Sequence, residues 1–365
     1  MGDRIVILST GGTGGHIYPA VSVAKELQKH DFDTVLMGQL QGMEERIAFE
    51  SGLSFWGVQA GKLDRSRPNP MEFIRAGKGF LQARALLKQR RPLAVVGFGG
   101  FASLPGTLAA QSLGIPTVLH EQNAKLGLAQ KMAKHCAVKI ATAYPKVEGV
   151  RSSVWVGMPT REECIPKQQA LAQLGLQENR LTALIMGGSQ GSLALNRLLP
   201  PLLEKQFGPD GCLPTGRKIQ VIHATGPQHL DGVVSQTQHL PWYHAHGFVD
   251  AVAAWSCADI GITRGGTGTL SEAAFHGVPL AIVPLPSSAE GHQFSNAQAV
   301  QTAGAGYVIE QSNIGALTDT IDTMLDEHNH TEMQKAAKRL SPEGATQRLA
   351  DTIMATISCK YGTTH

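Results

Sequence analysis

Apolar residues in this chain fall in short runs, most followed by a glycine-rich break and then by a stretch of helical period. Residues 4–9 (RIVILS) read as a buried strand, TGGTGGH (10–16) as its turn, and 19–29 as a helix beginning at Pro19. A strand is expected at 34–37 and a helix at 43–51. A looser basic segment follows, then a helix at 71–89 and a strand at 93–96. GFGGFASLPG turns into a helix, 117–120 is a strand, and EQNAKLG leads to another helix. Residues 154–156 close this half, and GMPTR (157–161) reads as a linker. The pattern then restarts: strand 181–186, turn GGSQGS (187–192), helix 193–204, strand 219–223, a strand near 247–248 and a short helix 251–257. A final amphipathic helix, 344–357, is expected to pack back on the first half.

The most informative stretch is 262–297. A strand at 259–263 breaks at Arg264-Gly265-Gly266-Thr267-Gly268, and Thr269 or Ser271 is positioned to cap a helix that carries Glu272 and stops at Gly277. A second strand, 278–283, ends at Pro284 and Pro286, before the polar residues Glu290, His292, Gln293 and Asn296. Backbone N–H groups in a strand-to-helix glycine turn suit an anion, and the helix N-terminus adds to their positive potential. A carboxylate in the first helical turn opposes phosphate but suits the vicinal hydroxyls of a ribose. The stretch therefore outlines a pocket for a nucleotide joined to a hydroxyl-rich group. An ordinary βαβ unit with a glycine turn has the same outline.

Repeated βα units with short turns predict parallel, doubly wound sheets. Two such halves in 365 residues predict two Rossmann-like α/β domains facing across a cleft. The domains are expected at 1–160 and 161–341, with a helix in 342–365 returning to the first. A net charge of +3 argues against a large polyanion-binding surface, so no nucleic acid partner is expected. The five cysteines show no paired spacing, which fits a reducing compartment. MGDRIVILST shows no cleavable signal pattern, and the uncharged run 92–119 is punctuated by glycines and prolines rather than built as a membrane span.

The common nucleotide fingerprints fail. GGTGGHI would need glycine at Ile17 for G-x-G-x-x-G, GGSQGS also lacks that spacing, and no P-loop is present. Asp31-Phe32-Asp33 has the D-x-D form of some metal-dependent sugar transferases, but it precedes a strand, at the sheet end opposite the glycine turns, and reads as a turn. The histidines of WYHAH (242–246) lack partners at ligand spacing. No metal and no cofactor is implied.

TGGTGGHIYPA, GGFASLPG, HEQNAKLG, MGGSQGSLALN and RGGTGTLSEAAFHGVPLAIVPLP with HQFSNA occur in that order over most of the chain. Together they resemble the MurG family of bacterial peptidoglycan glycosyltransferases. The resemblance implies a GT-B fold, UDP-N-acetylglucosamine as donor, and inverting, metal-independent transfer to lipid I (undecaprenyl-pyrophosphoryl-MurNAc-pentapeptide), giving lipid II. It implies a peripheral protein on the cytoplasmic face of the bacterial plasma membrane, with anionic lipid as a partner surface and cell-wall or division proteins as further candidates. Matched position by position, Phe248 and Val249 meet the uracil, Glu272 the ribose, and Ser189 and Gly191 the pyrophosphate. Gly266, Thr267, Gly268 and Thr269 meet the pyrophosphate and sugar, and His292 and Gln293 the sugar hydroxyls. Asn123 is matched to a sugar contact and Arg161 to an arginine of the interdomain segment. Thr13, Gly14 and Gly15, with Gly100, suit the acceptor pyrophosphate and border the donor. His16 is the candidate general base, since an unperturbed imidazole titrates near neutrality; His120 and Glu121 are alternatives, and Glu121 also suits a loop brace. The sequence departs from the family pattern at GMPTR, Leu104, Gly268 and His292, none of which removes a charge from the site.

A membrane-bound acceptor suggests a docking surface. From 65 to 91, Arg65, Arg67, Arg75, Lys78, Arg84, Lys88, Arg90 and Arg91 face the acid Glu72, while Phe73, Phe80 and Leu87 recur every seven residues. Phe73, Ile74 and Phe80 are the expected membrane patch; the same stripe also suits the core face of an ordinary helix. Rival functions are another UDP-sugar-dependent glycolipid glycosyltransferase, a nucleotide-sugar epimerase and a non-catalytic UDP-sugar-binding subunit. The first should differ in TGGTGGH and HEQN, and the last should lose His16 or a domain.

Overall fold

A computed structural model describes residues 4–62, 69–188 and 190–362. The chain divides into two compact units, Met1–Thr160 with Gly344–His365, and Arg161–Glu343. The first holds seven parallel strands: β1 (Ile5–Ser9), β2 (Asp33–Gln39), β3 (Ser54–Val58), β4 (Ala94–Gly97), β5 (Thr117–Glu121), β6 (Lys139–Thr142) and β7 (Val154–Trp155). Their order is β3-β2-β1-β4-β5-β6-β7. Every residue of β1 is buried, as a strand covered on both faces requires. Val6, Leu8 and Val96 pack under helices Gly14–Gln28 and Ala345–Tyr361, the latter supplying Leu349, Ile353 and Ile357. On the opposite face Ile5, Ile7, Val35 and Val95 meet Ala83 and Leu87 of helix Pro70–Arg90 and Ala109 and Ala110 of helix Leu104–Ser112.

The second unit holds β8 (Leu181–Met186), β9 (Ile219–Ala224), β10 (Tyr243–His246), β11 (Ile260–Thr263), β12 (Leu280–Ile282) and β13 (Gly306–Val308). They run parallel in the order β10-β9-β8-β11-β12-β13. Helices Leu193–Phe207, Leu230–Thr237 and Leu317–Leu325 cover one face. Helices Ala251–Cys257, Thr267–His276 and His292–Thr302 cover the other. In both units the order reverses beside the first strand, between β1 and β4 and between β8 and β11. Ligands of doubly wound sheets bind at such switch points, beyond the strands' carboxyl ends.

Several elements depart from the sequence expectation. The first helix begins at Gly14, not Pro19, because extended Thr13 offers its carbonyl to the N–H groups of both His16 and Ile17 (3.0 and 3.3 Å). Pro19 therefore lies inside the helix. The looser segment after the second helix contains β3, which pairs with β2 through Leu36↔Phe55. The strand expected near 247–248 is β10, four residues earlier, set by its pairing with β9 through Val221↔Tyr243.

Phe80 is also corrected. It packs half-buried against the core with Trp56, whereas Phe73, Ile74 and Leu81 are at least half exposed (56%, 50% and 65%). A seven-residue repeat falls short of two helical turns and drifts around the helix. The inner ridge is instead Gly79, Ala83 and Leu87. Arg65 and Arg67 lie outside the described residues.

Gly79 faces the backbone at Gln59 so closely that a Cβ would overlap the Gln59 carbonyl, while Gly77 on the same helix has nothing within 4 Å. Gly79→Ala is expected to destabilise the first unit by about 1–3 kcal/mol through overpacking. Gly77→Ala should stabilise it by about 0.5–1 kcal/mol by limiting the unfolded chain. Urea unfolding midpoints of the two variants should move in opposite directions.

Candidate functional site

In the first unit the site is built where the turn after β1 meets the turn after β4. A Cβ on Gly100 would overlap the Gly11 carbonyl, so the two loops touch backbone to backbone. Gly12 (φ 93°) and Gly100 (φ 75°) hold conformations that favour glycine. His16, the third residue of its helix, shares a 3.0 Å hydrogen bond between Nδ1 and Thr13 Oγ1. Its ring lies beside Gly99 and Gly100. Thr13, Gly14, Gly15, His16 and Gly100 are thus brought together, at a helix start with no side-chain cap. Such a start leaves first-turn N–H groups for an anion. Sequence reasoning missed Glu44, whose buried carboxylate accepts the Gln39 N–H (2.8 Å) and fills the space that Cβ atoms at Gly11, Gly38 and Gly42 would need. The sequence carried no clear signal for it, since Glu45 stands beside it and Gly11 is brought near only by the fold.

The HEQN loop follows β5. Glu121 is buried; its Oε1 accepts from the backbone and side-chain N–H of Asn123 (2.9 and 3.0 Å), and its Oε2 from Gly127 N–H (2.9 Å). These bonds make Glu121 a loop brace rather than a base, and they turn the Asn123 amide N–H inward. His120 is buried, with Nε2 3.2 Å from the Gly157 carbonyl, and burial pushes its pKa down to about 4. It is a neutral structural imidazole at physiological pH. Gln130 anchors the same region, donating to the carbonyls of Gly97 and His120 (3.0 and 2.9 Å).

In the second unit a cavity of about 580 Å³ lies beyond β8 and β11, lined by Gly191, Ser192, Arg197, Arg264, Gln293 and Gln311 among others. Arg264 is its buried cation. The guanidinium donates to Ser192 Oγ (3.0 Å), the Val283 carbonyl (3.0 Å) and Gln311 Oε1 (2.9 Å), all neutral acceptors, and burial lowers its pKa. Among the described residues no carboxylate lines the cavity. A desolvated cation bonded only to neutral groups keeps a positive potential for an anion. Nothing in the sequence assigned Arg264 a role, although an arginine ending a buried strand at a glycine turn was a usable signal.

Helix Thr267–His276 begins at Gly266 without a side-chain cap, earlier than the expected cap at Thr269 or Ser271. Asn296 Nδ2 bonds both the Gly265 carbonyl (3.1 Å) and Thr267 Oγ1 (2.9 Å), fixing this start. Glu272 consequently sits in the second turn rather than the first. Its carboxyl pKa is raised by burial, with Arg161 and the Trp255 indole pulling it back. Gly268 has nothing within 4 Å of its missing side chain, and Thr269 is half-buried beside it.

Phe248 is 70% exposed just past β10, a free aromatic face, and Val249 is half-buried behind it. Gln293 Oε1 accepts from Gly265 N–H (3.2 Å) and Leu285 N–H (2.9 Å), so this oxygen is committed to the backbone. His292 opens helix His292–Thr302 with Nε2 3.9 Å from Glu290 Oε1. A Cβ on Gly191 would overlap the Thr225 carbonyl. Ser189 lies outside the described residues. Asp31 is in a left-handed turn (φ 59°) before β2, so the D-x-D stands at the sheet end opposite the glycine turns. Among the described residues no three His, Cys, Asp or Glu side chains gather as metal ligands would.

Residues 6–142 match the glycosyltransferase family 28 N-terminal domain, and residues 182–351 the family 28 C-terminal domain. A Deinococcus radiodurans protein named UDP-N-acetylglucosamine--N-acetylmuramyl-(pentapeptide) pyrophosphoryl-undecaprenol N-acetylglucosamine transferase is 52% identical, covering 96% of this chain and 95% of its own. The chain belongs to the MurG family. A Thermus thermophilus protein of the same name is 40% identical, over 96% of this chain and 99% of its own. The crystal structure of Acinetobacter baumannii MurG is 28% identical and superposes with a TM-score of 0.80, covering 97% of this chain and 99% of that one. The calicheamicin glycosyltransferase CalG4, 16% identical, shares the fold with a TM-score of 0.71, over 99% of this chain and 100% of that one. The doubly wound parallel sheets expected from the sequence are those observed, and this member of the family is a glycosyltransferase.

The two buried histidines give the fold a pH signature. His120 is held at about 4, and His223, bonded to Tyr243 and Asn196 (2.8 and 2.9 Å), at about 3, in both cases by burial. Below about pH 6.5 the unfolded chain takes up protons that the folded chain refuses. The thermal midpoint is therefore expected to fall as pH drops from about 6.5 to 4, with a shallower slope in His223→Gln. A flat midpoint over that window would contradict the assignment.

Proposed function

We propose that this protein transfers N-acetylglucosamine from UDP-N-acetylglucosamine to the 4-hydroxyl of the MurNAc sugar of lipid I, giving lipid II, with inversion and without a metal. The similarity to the Deinococcus protein, 52% over 96% of the chain, carries this reading. The donor belongs to the second unit. The backbone of Phe248 and Val249 reads the uracil edge, and Glu272 takes the ribose hydroxyls. N–H groups of Gly266, Thr267, Gly268, Thr269 and Gly191, with Ser189, take the diphosphate. His292 and the Gln293 Nε2 meet sugar hydroxyls. Arg161, already felt by the Glu272 carboxyl, favours that acid's ionised form against the effect of burial.

The acceptor diphosphate rests on Thr13, Gly14, Gly15 and Gly100, and Asn123 borders the sugar through its carbonyl. His16 takes the proton of the attacking hydroxyl; in the tautomer whose Nδ1–H donates to Thr13 Oγ1, Nε2 is the basic nitrogen. The hydroxyl oxygen bonds to the anomeric carbon from the face opposite the diphosphate. The bond to the diphosphate oxygen breaks, and its electron pair leaves with UDP. Helix N-termini and Arg264 stabilise the charge that develops there.

Labelled sugar transfer to a soluble lipid I analogue, with EDTA present, tests the reading. Glu272→Ala is expected to lose roughly ten- to a hundredfold, mainly in donor KM, as for a hydrogen bond to a charged group. His16→Ala should lose about a hundredfold or more in kcat with donor KM little changed. Collapse of transfer in EDTA would overturn the metal-free step. UDP-sugar binding without transfer by the parent chain would favour a binding subunit.

We further infer that the protein docks peripherally on the cytoplasmic face of the plasma membrane through Met71, Phe73, Ile74 and Leu81. This exposed apolar face is flanked by Arg75, Lys78, Arg84 and Lys88, and it suits anionic lipid. Among the described residues no helix is long and apolar enough to cross a membrane. Phe73→Ser with Ile74→Glu should weaken sedimentation with anionic vesicles about tenfold, while transfer to a soluble acceptor is retained. Unchanged sedimentation would remove this surface.

A further inference from the structure

Beside His16, the first glycine turn is faced by an amide that the fold does not use. A Cβ placed on Gly15 would stand 3.7 Å from Thr13 Oγ1, 3.8 Å from Gln122 Nε2 and 4.0 Å from Gln122 Oε1, so both polar atoms of Gln122 border this turn. Gln122 is only 6% exposed. Among the described residues its side chain makes no hydrogen bond, while its neighbours in the loop are committed: Asn123 to Glu121, Glu121 to Asn123 and Gly127, and Gln130 to two backbone carbonyls. Neither amide atom is sealed off from solvent, so both can meet a ligand without a bond of the fold being broken first. Here the loop is already braced by Glu121, so the Gln122 amide is left over, held in place by its surroundings and bordering Gly15.

We propose that Gln122 is a specificity-determining residue for the acceptor sugar, its amide pairing with that sugar's acylamino group. This rests on the reading that the Thr13–Gly15 turn takes the acceptor. A carboxamide offers a donor and an acceptor on one edge, and a sugar acylamino group offers the complementary pair: Nε2–H to its carbonyl, and Oε1 from its N–H. A hydroxyl at that position satisfies one of these bonds and leaves the other side of the amide unpaired, which is how a hydrogen-bonding site rejects an analogue. The amide also carries no charge, so it does not repel a diphosphate on the same turn.

Steady-state transfer with Gln122→Ala and Gln122→Met tests this; methionine keeps most of the volume but cannot donate. Each is measured with the acceptor analogue and with its counterpart bearing hydroxyl in place of the acylamino group. Acceptor KM should rise about five- to tenfold in both variants, with donor KM and kcat within about twofold. The parent chain should prefer the acylamino acceptor, and both variants should lose that preference. The thermal midpoint should hold steady in Gln122→Met, because no bond within the protein is removed. Unchanged acceptor KM, retained discrimination, or a loss confined to donor KM would overturn the proposal. So would a fall in thermal midpoint and kcat together with discrimination intact, the mark of a structural role. No transfer by the parent chain would instead sink the acceptor reading, and this proposal with it.

Discussion

The loops that build each site approach one another more closely than any side chain would permit. Cβ atoms at Gly100, Gly191, Gly226 and Gly265 would overlap the carbonyls of Gly11, Thr225, Gln190 and Gln293. Backbone then meets backbone at the carboxyl ends of β1 and β4 and around those of β8, β9 and β11. This proximity leaves the uncapped starts of helices Gly14–Gln28 and Thr267–His276 without a side chain over their first N–H groups. An anion can reach those dipoles because glycine has nothing to place in the way.

Polar hubs then hold these close-set loops in register. Arg264 ties Ser192, Val283 and Gln311, joining the ends of three strand connections through one planar fork. Asn296 pins the start of the helix that carries Glu272, and Gln293 joins Gly265 to Leu285. In the first unit Glu121 does similar work for the HEQN loop, and Glu44 fills the space among three glycines. The two sites differ in charge. The second unit offers a buried arginine with no acid among the described residues of its cavity, while the first brings a hydroxyl and an imidazole together at its glycine turn.

Much of this was legible in the chain itself. Strand β8 and helix Ala251–Cys257 stand where the apolar pattern put them, because a buried strand or a helix between clear breakers carries its own period. The glycine clusters located the turns of both sites. Less legible were elements whose existence depends on a neighbour. β3 and β10 are edge strands with half-buried residues, and their bounds come from pairing with β2 and β9. Phe73, Phe80 and Leu87 pass from exposed through half-buried to buried because a seven-residue repeat falls short of two helical turns.

The sequence by itself determined the doubly wound architecture and the family, since alternating apolar runs, glycine turns and five ordered motifs are local properties of the chain. Only the tertiary structure decided what individual polar side chains do. Glu121 and Gln122 are adjacent, yet one is consumed by the loop and the other is left over. Arg264 reads as one turn residue among several until Ser192 and Gln311, 72 and 47 positions away, close around it. Hydrogen-bond partners far apart in the chain settle such roles, because an amide or guanidinium is available to a ligand only when the fold has not already satisfied it.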